Sequence, residues 1–137
     1  MKLKLSALAL LAMIVPAQTR TATLTDAEAT FLDELVTAAA VRVRQCTGYE
    51  ANGVGGVQRG AELLGSPEAA MAMISAYDAA IKAYDGEDYD RSKFRPEVFE
   101  AANKTSKRVL AALKKNREVV CADYGGASVG HGLLRRH

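Results

Sequence analysis

The chain has 137 residues, 49% of them hydrophobic, with 18 basic against 16 acidic side chains and only two cysteines and two histidines. That is one domain's worth of chain, long enough to bury a modest single core. A charge so close to balance argues against nonspecific nucleic-acid binding, which needs excess cation to neutralise phosphates, so no nucleic-acid partner is expected.

The first segment reads MKLKLSALALLAMIVPAQ. Lys2 and Lys4 precede an apolar run from Leu5 to Val15 interrupted by Ser6, and Val15 and Ala17 sit at minus three and minus one of a cut before Gln18. This is the layout of a cleavable export signal over residues 1–17. A membrane-spanning helix needs about 20 apolar residues, more than this run supplies, and no cysteine follows the cut to carry a lipid. A periplasmic or secreted protein without a stable membrane anchor is expected. Loss of Lys2 and Lys4 leaves 16 basic against 16 acidic groups, unevenly spread: residues 18–90 carry 5 and 12, residues 91–137 carry 11 and 4. Two oppositely charged halves can attract one another within one fold.

The single domain is expected over 18–125. TLTDAE offers Thr25 as an N-cap with Glu28 three residues later, a capping-box pattern. Apolar residues at Leu32, Leu35, Val36, Ala39, Val43 and Cys46 then mark one face of a helix over about 26–46. The following TGYEANGVGGVQRGAELLGS holds six glycines, each costing about 1 kcal/mol inside a helix. It reads as an irregular connector with room for a short helix over Val57–Leu64. Its GVGGVQRG lacks the preceding strand and the Gly-Lys-Ser/Thr ending of a phosphate loop. Ser66, Pro67, Glu68 and Gly86 then bound a well-marked helix whose apolar face is Ala70, Met73, Ile74, Tyr77, Ile81 and Tyr84.

YDGEDYDRSK, residues 84–93, gathers acidic and phenolic side chains around one glycine. Tested as a twelve-residue calcium loop it fails: starting at Asp85 places Asp90 at position six and Pro96 at twelve, and starting at Asp88 places Lys93 and Phe99 there. It reads instead as a helix stop and a charged joint. A last helix runs from Pro96 to about Asp123, burying Val98, Phe99, Ala102, Val109, Leu110, Leu113 and Val120. Lys104, Lys107, Arg108, Lys114 and Lys115 lie mostly on its outer side. Gly125 and Gly126 end it, and residues 126–137 form a flexible basic tail.

An even cysteine count in an exported chain favours a Cys46–Cys121 disulfide. Both cysteines fall near helix ends, and bonded α-carbons must approach within about 7 Å. An all-α, up-down-up three-helix bundle, with the Gly-rich connector folded over the disulfide end, satisfies that demand. A regular four-helix bundle would part the two ends by about 30 Å.

No acid–base set, metal-ligand spacing or cofactor motif accompanies this fold, so no catalytic, metal or cofactor-binding residues are assigned. The leading expectation is an exported, non-catalytic helical binding protein, inhibitor- or immunity-like. Another exported protein would be its partner, meeting Tyr49 and Arg59 at one pole and Asp85, Glu87, Asp88 and Asp90 at the other. The alternative is a small-ligand carrier using Met73, Tyr77, Tyr84 and Phe99 in the bundle core. A hydrolytic enzyme using the acidic joint ranks below both.

Overall fold

A computed structural model describes residues 22–43 and 46–137; the expected export signal lies outside them. The described chain is mostly helical: α1 (Asp26–Val43), β1 (Tyr49–Ala51), α2 (Gly53–Leu64), α3 (Pro67–Asp85), α4 (Pro96–Lys115), α5 (Arg117–Gly130) and β2 (Leu134–Arg136). The three-helix expectation thus becomes five helices among the described residues.

The caps read from the sequence are in place. The Thr25 N–H donates to Glu28 Oε1 at 3.0 Å and the Glu28 N–H donates to Thr25 Oγ1 at 3.1 Å, a reciprocal box that satisfies two otherwise unpaired donors. Ser66 accepts from the Ala69 N–H, and Gly86 closes α3 in the left-handed region at φ 73°.

The glycine-rich connector is more regular than expected. Asn52 caps α2 by accepting the Gly55 N–H at 3.0 Å, and the helix then runs for 12 residues. A Cβ at Gly60 would lie 2.5 Å from the Ala70 Cβ and 2.6 Å from Phe31 Cζ. At Gly55 it would strike the Gly132 carbonyl oxygen at 2.0 Å. The propensity lost at these positions is offset by close approach of α2 to α1, α3 and the C-terminal turn.

The expected last helix is two helices. Asn116 leaves helical geometry at φ −154° and serves as the N-cap of α5, accepting the Val119 N–H at 3.3 Å. The chain turns there, and α5 continues through the two glycines expected to stop it. Gly125 is a packing position: a Cβ would meet the Tyr49 ring at 2.3 Å.

Residues 126–137, expected as a flexible basic tail, complete α5 and then form β2, which pairs antiparallel with β1 so that Tyr49 faces Arg136 and Ala51 faces Leu134. Leu133 and Leu134 are buried, and the His137 N–H donates to the Gly48 carbonyl at 3.1 Å. Two apolar residues in a glycine-rich, basic stretch were enough to anchor it.

Contacts between helices set their directions. Glu28 pairs with Arg95 at 2.9 Å, and Asp33 meets Thr105 at 3.0 Å and Arg108 at 2.8 Å, so α1 and α4 run parallel. Phe31 lies by Ala70, while Val36 lines a groove with Tyr77 and Ala80, so α3 also runs with α1. The middle long helix is therefore not the reversed rod of an up-down-up bundle. The ten residues 86–95 can span about 33 Å when extended, ample to carry the chain back along α3. Arg95 accordingly lines one depression with Thr25, Glu28, Ala69 and Met73, where the starts of α1, α3 and α4 gather. The two shorter helices run the other way. Arg59 of α2 grips Glu34 through paired contacts of 2.9 and 2.6 Å. Beyond α5, His131 stands 3.5 Å from the same carboxylate. The Cys46–Cys121 disulfide is present, its α-carbons 5.4 Å apart, joining the segment after α1 to the second turn of α5. Phe31, Leu32, Val36 and Val41 of the central α1 are at most 2% exposed and pack with Met73, Val98 and Val109.

Two outcomes follow from this packing. Leu134→Ala should lower stability in urea unfolding by about 2–5 kcal/mol, whereas a solvated tail would leave it within about 0.5 kcal/mol. Glu28 has its pKa held below the ordinary carboxylate value, first by the Arg95 hydrogen bond and then by the Thr25 N–H. A depressed folded-state pKa contributes stability that is present above the unfolded value and lost as pH falls through the folded one. Melting temperature should therefore drop on acidification below about pH 4.5, and Glu28→Gln should flatten that acid limb.

Candidate functional site

An apolar surface groove lies where α3 and α4 face each other over α1. On α3, Tyr77, Ile81 and Tyr84 follow at steps of four and three; on α4, Phe99, Asn103, Ser106 and Leu110 follow at four, three and four. Both spacings place side chains along one helix face. Between the two ridges the opposed positions are alanines, Ala80 and Ala102, both buried, with Val36 of α1 beneath. Small side chains at the closest approach leave a groove of about 240 Å³. Ile81 is 40% and Tyr84 71% exposed, and the two lie together beside the groove.

The polar groups of the groove come mainly from α4: Asn103, Ser106 and Lys107. Tyr77 adds a phenol that no group among the described residues hydrogen-bonds. Burial pushes that phenol up to about 12, because ionising it would place a charge among apolar walls. No carboxylate, imidazole or thiol lines the groove. Its lining is mainly apolar with a few polar side chains at one edge.

One wall is braced from outside. Phe99 stacks on Phe94 with centroids 5.8 Å apart, and Phe94 on Tyr89 at 5.6 Å, with the Arg91 guanidinium 5.4 Å from the Tyr89 ring. The acidic joint thus contributes its aromatic residues to packing. Asp85, Glu87, Asp88 and Asp90 are exposed. Asp90 accepts from the Ser92 hydroxyl at 2.6 Å and the Ser92 N–H at 3.0 Å, which holds its pKa down and closes a local turn. Among the described residues no three histidine, cysteine or acidic side chains converge as metal ligands.

Of the residues singled out from sequence, Tyr77, Tyr84 and Phe99 share the groove, while Met73 is buried 1% exposed and faces the depression by Arg95 instead. Tyr49 and Arg59, expected as partner contacts, are engaged internally. Tyr49 donates to the Cys121 carbonyl at 3.2 Å and packs on Gly125, and Arg59 clamps Glu34. Asn103, Ser106 and Lys107 were not picked out as site residues. The signal available was their spacing with Phe99 and Leu110, a polar stripe bordering an apolar one.

Comparison of the chain with family models, curated proteins and solved structures finds no match.

The Tyr77 environment has a measurable consequence. Its folded-state pKa lies above the ordinary value of 10.0, so its contribution to stability is complete below pH 10 and is lost as pH rises towards about 12. The full loss amounts to about 2–3 kcal/mol at 1.36 kcal/mol per unit. Denaturation series between pH 9 and 11.5 should show a declining alkaline limb that is shallower in Tyr77→Phe.

Proposed function

We propose that this chain is an exported, non-catalytic binding protein that takes the apolar part of a small ligand into the groove between α1, α3 and α4. The observation that carries this reading is the alanine-floored depression, flanked by exposed Ile81 and Tyr84 and containing the unpartnered Tyr77 hydroxyl. Ligand sites in proteins are concave, mainly apolar and set with a few polar groups that fix orientation, and this groove has that composition. Export is supported by the N-terminal pattern and by the disulfide, which persists in oxidising compartments.

A second reading, docking of another exported protein, is favoured by the exposed run Asp85, Glu87, Asp88 and Asp90 directly after exposed Tyr84. A partner there would present basic side chains around an apolar anchor.

Titration of the purified protein with a neutral solvatochromic dye, N-phenyl-1-naphthylamine, tests the first reading. A saturable single-site enhancement is expected, abolished by Ser106→Phe, which fills the groove from its half-buried rim, with the circular dichroism spectrum unchanged. Dye binding that survives this substitution, or that never saturates, would remove the groove as the site.

A further inference from the structure

The groove has a charge character that its apolar walls do not explain. Of its eleven lining residues one is a cation, Lys107, and none is an acid. Lys107 forms no ion pair with any carboxylate among the described residues. Arg95, Arg59, Arg108 and Lys82 are each matched to an acidic partner within 3 Å, whereas Lys107, like Lys104, Lys114 and Lys115 of the same helix, is not so matched among the described residues; what sets Lys107 apart from those three is that it lines the groove. Lys107 therefore stands at the mouth of an apolar depression with its charge uncompensated by protein, beside two neutral hydrogen-bonding side chains, Asn103 and Ser106, one turn or less away on the same helix.

We propose that the groove is a site for a small organic carboxylate, its apolar body lying along Ile81, Phe99 and Leu110 and its anionic head meeting Lys107 beside Ser106. This rests on the groove being a ligand site, and it names the class of ligand. Three features select that class. An anion is the head group that the mouth can compensate, because the only charge lining it is positive and a cationic head would meet repulsion. The walls Val36, Ala80, Ile81, Phe99, Ala102 and Leu110 require an apolar body. The volume, about 240 Å³, falls below the roughly 300–1,000 Å³ of sites for drug-sized molecules, which suits a compact body no larger than the dye, such as a short chain. The free carboxylate, rather than a membrane lipid, fits a concave site of this size. A bilayer surface would call for a broad convex face.

Competition against the neutral dye, using octanoate, octanol and octylammonium as matched probes, tests the assignment. Octanoate should displace dye about tenfold more strongly than octanol, the scale of one charge-assisted contact, and octylammonium should be weakest. Lys107→Met keeps the side chain's bulk and should bring octanoate displacement down to the level of octanol measured on the same variant. Lys107→Arg should retain it. Lys104→Met, on the exposed stripe one turn earlier, should leave most of it.

Equal displacement by octanoate and octanol would overturn the carboxylate assignment while leaving the groove as a dye site. So would an octanoate preference that falls as far with Lys104→Met as with Lys107→Met, since that marks diffuse surface attraction. Sedimentation with phosphatidylglycerol vesicles but no displacement by octanoate would overturn it in favour of a membrane surface. Failure of the dye itself to bind identifies the groove reading, and the carboxylate assignment with it, as wrong.

Discussion

The bond between Cys46 and Cys121 holds together segments that apolar packing alone would secure poorly. It joins the chain leaving α1 to the second turn of α5 across a separation of 75 residues. In the chain-entropy description, closing a loop of that length stabilises the folded state by about 4 kcal/mol, often less in practice. Tyr49 lies three residues beyond Cys46, donates to the Cys121 carbonyl and rests on Gly125, so the bond and the ring fix β1 against α5 as a unit. An isolated pair of three-residue strands would be marginal in water. Here β1 is held covalently nearby and β2 is drawn in by Leu133 and Leu134, so the C-terminus closes over the same end. The opposite end of α1 is secured by charge, through Thr25, Glu28 and Arg95.

Between these two ends the packing depends on missing side chains. Gly60 lets α2 come within contact of Phe31 and Ala70, Gly55 admits the Gly132 carbonyl, and Gly125 admits Tyr49. Each weakens its helix locally and strengthens an interface, so α2 and α5 depend on their neighbours more than on their own propensity. Ion pairs add direction. Glu28 with Arg95, Asp33 with Arg108 and Glu50 with Arg135 all join the acidic first half of the chain to the basic second half. Exposed pairs of this sort contribute little energy, but they match one register of α1 against α4 and not its neighbours.

What could be read from the chain in advance were features whose physics is local. Thr25 and Glu28 start α1, Ser66 and Pro67 start α3, Gly86 ends it, and Pro96 starts α4, because caps act over three or four residues. The cysteine pairing was legible from count. The break at Asn116 was not, since Lys-Lys-Asn-Arg continues a helix as well as ending one. Glycines in α2 and α5 misled for a related reason: their propensity is a property of the residue, while their value in these helices is a property of the neighbour that approaches them. The sense of α3 was hidden in a loop. Ten residues can reverse a helix or return along it, and composition does not distinguish the two. In the groove, the apolar residues were visible as a helix face, but nothing in their spacing distinguished packing from an open wall. Met73 and Tyr84 share one stripe of α3, yet one is buried and the other stands in water.

The distinction rests on the alanines. Where α3 meets α4, Ala80 and Ala102 let the helices approach without filling the space on their solvent side, and Ile81 and Tyr84 remain uncovered above it. Larger residues at those positions would close the depression, as Met73 and Val98 fill the core elsewhere. The wall opposite is backed by the tilted ring contacts of Phe99 with Phe94 and of Phe94 with Tyr89, which add apolar packing behind the groove. The same acidic joint that resembled an ion loop in sequence thus acts through its aromatic residues, holding one side of the groove in place while its carboxylates face solvent.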